Sequence, residues 1–324
     1  MVNPIIAEVT RGPFVESVHR GAYAIVDGDG ALVDSAGNID HPIFARSALK
    51  LMQALPLIES GAAEAMGFTA QHLALACASH SGAPEHVAGV REMLAAADVG
   101  PEDLQCGAHV PIFRTQDTIS HAQSGVQIDR TSNQCSGKHA GFLATTRHLG
   151  LETATHLAPD HPVQVEVKAA ISSLSDHDFH PEHCACDGCS APTYALPLRG
   201  FAQAFARLTT GTNISATRFN AAQTLFAACL EEPLYMSGEG RFDAGLIVAS
   251  EGQLFAKTGA EGVYIAAIPS EGLAFAVKTD DGNARASEVT TAALASRYLP
   301  DLTHLASRAI TDWNGQEVGQ LRAC

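Results

Sequence analysis

Ser47-Ala48-Leu49-Lys50 is followed by Ser79-His80-Ser81 and, far downstream, by Lys257-Thr258-Gly259. Ser47 opens an apolar pattern in which Leu49, Met52, Leu55 and Leu57 recur near helical spacing. Residues three apart share a helix face, so this spacing places Lys50 beside the Ser47 hydroxyl. Ser79 ends the apolar run of residues 73–78, and Lys257 ends the strand-like Gln253-Leu254-Phe255-Ala256. The three stretches supply a hydroxyl nucleophile and amines to carry its proton, which is enough for amide hydrolysis without a cofactor. A lysine serves there only when neutral. Burial and a second nearby ammonium both favour the neutral amine, and two lysines in one pocket meet the second condition.

The order of the stretches resembles the signature of serine β-lactamases and penicillin-binding proteins, S-x-x-K, then S-D-N, then K-T-G. The first and third match literally, while His80 and Ser81 stand where Asp and Asn would be. Taken singly, each reads equally well as a helix surface or a strand end. Their order, residue types and local structure together carry the reading.

At 324 residues and 46% hydrophobic, the chain can bury a large core, as one big domain or two tightly joined lobes, and a single catalytic domain over 1–324 is the expectation. A formal net charge of −15 with no basic run argues against nucleic acid or an anionic membrane as partner. Aromatic residues at 6% are too few for stacking platforms along single strands. Residues 1–12 show neither a secretory pattern nor a membrane-spanning run, so a cytoplasmic location is expected. Eight cysteines in a chain of this length are no disulfide scaffold; in a reducing compartment they are core residues, metal ligands or reactive thiols.

Residues 14–27 read as one strand or a bent pair, a turn follows at Gly28-Asp29-Gly30, and another strand begins at Ala31. Residues 46–60 read as the first helix. Helical patterns run over 63–104, 141–157 and 201–230, the last broken at Gly211-Thr212-Asn213. The stretch 106–138 is mixed and loop-bearing, and 175–189 reads as a long polar loop. Residues 245–250 suggest a helix. Residues 253–257, 263–268 and 273–278 form an antiparallel meander by their short Gly-containing turns, and a helix over 284–299 closes it. The expected fold is α/β: an antiparallel sheet from N- and C-terminal segments with a helical insert, the α/β part roughly 1–60 and 240–300 and the helical part roughly 61–239.

A second cluster is Cys135-Ser136-Gly137-Lys138-His139 with Cys184-Ala185-Cys186-Asp187-Gly188-Cys189, preceded by His177, His180 and His183. Thiolates and imidazoles are the usual zinc ligands. The spacing is not that of a four-ligand finger. A zinc site at Cys135 and Cys189, with a third ligand near position 138, and cysteines simply packed in a core are both consistent with it.

With these residues in view, the chain resembles the Rhizobium etli type of L-asparaginase, the asparaginase II family. The resemblance rests on Arg46-Ser47-Ala48-Leu49-Lys50, Gln53-Ala54-Leu55-Pro56, Ala76-Cys77-Ala78-Ser79-His80-Ser81-Gly82, Cys135-Ser136-Gly137-Lys138-His139-Ala140-Gly141, Asp187-Gly188-Cys189 with Pro192-Thr193, and Gly259-Ala260-Glu261-Gly262. It implies hydrolysis of L-asparagine to L-aspartate and ammonia on a fold related to serine β-lactamases. It also implies two serine–lysine pairs, here Ser47 with Lys50 and Ser79 with Lys257. Zinc bound by Cys135, Lys138 and Cys189, and a homodimer, come from the same resemblance. Arg46, Ser81 and Asp187 are candidates to hold the α-carboxylate and α-amino groups of L-asparagine. The alternatives are a β-lactamase or peptidase, whose substrates lie outside the cytoplasm, and a sensor that keeps the fold without turnover.

Overall fold

A computed structural model describes residues 2–111, 118, 119, 122, 123 and 127–324. The N-terminal end supplies β1 (Ile5–Arg11), β2 (Phe14–Asp27), β3 (Leu32–Ala36) and β4 (Pro42–Phe44). The middle supplies β5 (Cys184–Cys186) and β6 (Pro192–Pro197). The C-terminal end supplies β7 (Phe255–Gly259), β8 (Val263–Ile268), β9 (Leu273–Thr279), β10 (Ser307–Thr311) and β11 (Glu317–Ala323). The main sheet is antiparallel in the order β10-β11-β1-β2-β9-β8-β7, with β3 also paired to β2. Its strands thus come from the two ends of the sequence, with a helical part between them, as expected.

The meander folds as its pattern demands. β8 is apolar at every position, Val-Tyr-Ile-Ala-Ala-Ile, and every residue is buried, as befits a strand covered on both faces. The β7–β8 turn closes with Glu261 and Gly262 both in the left-handed region. The helices Leu198–Thr210 and Ala284–Ala295 pack against β8 and β9. One contiguous apolar core runs from the sheet (Ile25, Phe275) into the helical part (Leu75, Phe142, Phe205).

Four departures from the sequence reading matter for the site. The first helix is broken into a 3₁₀ turn, Arg46–Leu49, and short helices Lys50–Gln53 and Leu55–Glu59. Pro56 carries no N–H for the ladder, so one long helix cannot run through it. The helix read from residue 141 starts earlier, as Ser136–His148, and is buried from Ser136 to Thr146 despite its polar content. The polar loop over 175–189 contains β5, which pairs with β6. Beyond residue 300 the hairpin β10–β11 extends the sheet, with β11 paired to β1. Part of the mixed stretch 106–138, residues 112–117, 120, 121 and 124–126, lies outside the described residues.

Candidate active site

Ser47 sits in the 3₁₀ turn, half-buried, and its hydroxyl makes no hydrogen bond among the described residues. Arg46 before it has φ +53°, a left-handed conformation that a bulky side chain adopts only when its surroundings impose it. Those surroundings are visible. The Arg46 guanidinium donates through Nε (2.8 Å) and Nη2 (2.7 Å) to Asp187 Oδ1. Asp187 opens the turn between β5 and β6, and the small sheet β4-β6-β5 carries that turn to Arg46, two residues beyond β4. On the other side β7 presses on the turn. A Cβ added at Gly259 would lie 2.5 Å from Ala45 O and 3.3 Å from Ala48 N. Lys257 is two residues earlier on the same strand, so its side chain leaves the face that Gly259 turns towards Ser47.

Lys50 is fully buried, and its three donors are used. Nζ donates to Ala78 O and to Ser79 Oγ (3.0 Å), and lies 3.1 Å from Cys135 Sγ. The expected Lys50–Ser47 pair is therefore not the hydrogen-bonded one, because these three acceptors saturate the amine. The bonded pair is Lys50–Ser79.

The second expected pair, Ser79–Lys257, is also not bonded. Lys257, fully buried on β7, donates to Thr258 O (3.2 Å) and stands 3.5 Å from Asp243 Oδ2. Burial pushes its amine down to about 8, against the pull of Asp243, and the Lys50 charge pushes the same way as burial.

His80 and Ser81, which replace Asp and Asn, point into the protein. His80 Nδ1 accepts from Gly82 N–H (3.1 Å), so Nε2 carries the proton and donates to Ser136 Oγ (2.9 Å). Burial, with His86 next in weight, holds this imidazole well below its usual range and hence neutral. Its bond to Ser136 fixes the start of the helix that carries Lys138. Ser81 is buried, with Oγ 3.4 Å from His86 Nδ1.

Cys135, Lys138 and Cys189 converge. Lys138 Nζ donates to Cys189 Sγ at 3.2 Å. The thiol proton stays on Cys135, whose S–H bonds to Cys189; that bond and burial push Cys135 far up. Cys189 is held far below the usual thiol range, first by the Cys135 bond and then by the Lys138 charge working against burial. The thiolate in turn keeps the buried Lys138 amine charged, outweighing its desolvation. Hydrogen-bonded contacts thus run unbroken from Ser79 through Lys50, Cys135 and Cys189 to Lys138. Burial pushes the His139 imidazole down to about 4, prevailing over the upward pull of the Cys189 thiolate it lies against, so the ring is neutral.

The zinc expectation can be tested against these donors. No group of three or more His, Cys, Asp or Glu among the described residues is arranged to hold a metal ion. What does converge is two sulfurs and an amine, one sulfur already a thiolate. That set suits zinc once Cys135 and Lys138 give up their protons. His177, His180 and His183 stand in their own cluster, with ring centroids 5.0 Å apart for His177–His183 and 5.7 Å for His180–His183.

The sequence reading missed Asp243 and Tyr264 behind Lys257. It also missed a cavity of about 590 Å³ that reaches the turn at Arg46 and is lined further by Phe44, Glu261, Lys278 and Asp280. The Glu261 and Lys278 side of that cavity lies at the Gly-rich β7–β8 turn, which was the available signal.

Solved structures similar to the chain include the following three. A β-lactamase from Mycobacterium bovis shares 13% identity at a TM-score of 0.46, covering 87% of this chain and 95% of that one. A class C β-lactamase from Rhodobacter sphaeroides shares 14% at 0.41, covering 86% and 95%. A β-lactamase/D-alanine carboxypeptidase from Pseudomonas syringae shares 9% at 0.43, covering 86% and 93%. No curated protein matches the chain by sequence. The family model described as L-asparaginase II matches residues 7–323. That match spans β1 to β11 and takes in the Ser47 turn, both buried lysines and the thiol cluster, so the chain belongs to the L-asparaginase II family.

Proposed function

We propose that the protein is an amidohydrolase that converts L-asparagine and water to L-aspartate and ammonia through a Ser47 acyl-enzyme. Family membership supports the reaction class. The observation that carries the residue assignment is the half-buried Ser47 hydroxyl, unbonded among the described residues, on a strained turn backed by two fully buried lysines. Ser47 Oγ attacks the side-chain amide carbon and passes its proton to a neutral lysine. Lys257 suits that step, since its strand faces the turn and its amine releases a proton near pH 8. Backbone N–H groups of the Ser47 turn stabilise the oxyanion. Ammonia leaves with a proton relayed by the Lys50–Ser79 pair, and water hydrolyses the β-aspartyl ester.

Arg46 and Asp187 take the α-carboxylate and α-amino groups, and their ion pair holds both side chains at the turn beforehand. Ser81 joins this subsite only by leaving His86. Cys135, Lys138 and Cys189 would hold zinc, which when bound polarises a carbonyl or orients the substrate. A homodimer in the cytoplasm belongs to the same reading. No helix among the described residues is long and apolar enough to cross a membrane.

The test is ammonia release from asparagine and from glutamine, with and without chelator, with nitrocefin as a parallel substrate. Wild type should release ammonia from asparagine and leave nitrocefin intact. Ser47→Ala should fold and lose on the order of a thousandfold or more in rate. Near-normal release by that variant rejects Ser47 as the nucleophile.

A further inference from the structure

The helix Phe242–Ala249 reads Phe-Asp-Ala-Gly-Leu-Ile-Val-Ala and has one charged residue, Asp243, which is 1% exposed. A carboxylate taken that far from water must be paired and hydrogen-bonded or it costs the fold several kcal/mol. Its partners come from a single rung of the sheet. Oδ1 accepts from the Tyr264 hydroxyl at 2.7 Å. Oδ2 accepts from the Thr258 N–H at 3.2 Å and stands 3.5 Å from Lys257 Nζ. Thr258 and Tyr264 are direct cross-strand partners in β7 and β8. The Thr258 N–H belongs to the peptide that leaves Lys257. One carboxylate therefore grips the backbone beside the lysine and faces its amine, while Tyr264 fixes the carboxylate's own orientation.

We propose that Asp243 is the positioning residue of Lys257: it fixes the direction of the amine and supplies the carboxylate charge that sets the pH range in which that amine becomes the neutral base. This rests on Lys257 taking part in the reaction proposed above. The charges facing Lys257 make the role specific. Lys50 and Arg241 repel its proton, Asp243 attracts it, and the Cys135 thiol, which keeps its own proton, faces it without a full charge. The Cys229 thiol of the helix Ala216–Glu231 also faces it. Asp243 is the one carboxylate in that set. The ion pair is longer than the roughly 2.7–2.9 Å of a charge-assisted hydrogen bond, so the amine is held close without being captured.

An Asp243 that only pinned its helix to the sheet would, on removal, lower the melting temperature and leave the acid-side limb of kcat in place. The chain has five lysines, so biosynthetic [ε-13C]lysine labelling gives five resonances, and Lys257→Met identifies the one in question. In wild type that resonance should titrate near pH 8. In Asp243→Asn its midpoint should fall by about 1–3 units, the shift expected when an opposite charge within about 4–6 Å is removed. Tyr264→Phe, which keeps the carboxylate, should leave the midpoint in place. The acid-side limb of kcat should move with the resonance while KM stays constant.

If Asp243→Asn does not fold, Asp243→Glu takes its place. It displaces the charge by one methylene, so the midpoint should move and kcat should fall at least about tenfold. Loss of thermal stability with an unmoved Lys257 midpoint, in whichever variant folds, overturns the proposal. The titration needs no substrate. A wild type that releases no ammonia would therefore reject the asparaginase reading alone, whereas an unmoved resonance rejects the role of Asp243 alone.

Discussion

Gly259→Ala tests how the proposed nucleophile, Ser47, is held. The new methyl would sit 2.5 Å from Ala45 O, 3.2 Å from Val263 Cβ and 3.3 Å from Ala48 N. Two of these atoms belong to the backbone, so no flexible side chain can swing away. Restoring an ordinary separation of 3.4 Å from Ala45 O requires a relative movement of about 0.9 Å between β7 and the turn. That movement costs about 1–3 kcal/mol of stability, the usual result of forcing one carbon into a packed site. It also displaces Ser47 against Lys257, and a misplacement near 1 Å lowers catalysis by roughly a hundredfold. The assay is ammonia release from asparagine with kcat and KM resolved, beside a calorimetric melting curve. Gly245→Ala is the control. Gly245 is exposed in the helix Phe242–Ala249 with nothing within 4 Å of its added Cβ, so that variant should gain about 0.5–1 kcal/mol and keep full activity. A Gly259→Ala enzyme with wild-type kcat and melting temperature would refute the contact between β7 and the Ser47 turn as the element that positions the nucleophile.

Two further outcomes follow from the site. Purified protein should carry about one zinc per chain, and changing Cys135 and Cys189 together to serine should remove it; stoichiometric zinc in that double variant rejects these ligands. The Lys257 amine lies near 8, so about a tenth of it is neutral at pH 7, and kcat should rise close to tenfold per unit below pH 7 and level off above pH 8. A flat kcat from pH 6 to 9 excludes Lys257 as the base.

The sheet was legible wherever burial leaves a one-letter trace. β8 and β9 are near-continuous apolar runs between Gly-containing turns, and their observed bounds agree with the reading to within a residue. The hairpin β10–β11 is mostly polar and half-exposed, so its pattern does not stand out; its clearest signal is the Asn314-Gly315 turn. The start of the helix Ser136–His148 was hidden because Gly137, Lys138 and His139 are buried without being apolar, Gly137 by its close approach to the Leu75 backbone, and so carry no apolar period. All the proposed reacting residues could be named from sequence, but not which lysine bonds which serine. Spacing along a helix relates Lys50 to Ser47, whereas the bond to Ser79 depends on a second segment arriving beside it. Asp243 was unreadable for a related reason. A lone acid in the first turn of a helix is commonplace beside the helix dipole, and only the rung of β7 and β8 behind it gives it a partner.

The sheet joins the two ends of the sequence, and this sets the order in which the molecule can be completed during synthesis. β2 emerges before any of the helical part, while β9, which pairs with it from Gly21 to Asp27, emerges after nearly all of it. Such distant pairings close late, because the intervening chain must first be drawn together. Until then β2 presents an unpaired edge with Ala24, Ile25 and Val26, the kind of surface on which growing chains associate. The helices between have mostly nearer partners and can condense meanwhile. Ser47 is translated early, but the strand that backs it, with Gly259 and Lys257, arrives more than two hundred residues later. A nascent chain thus carries the proposed nucleophile long before the strand that backs it, and products released before β7 should be inert towards amides.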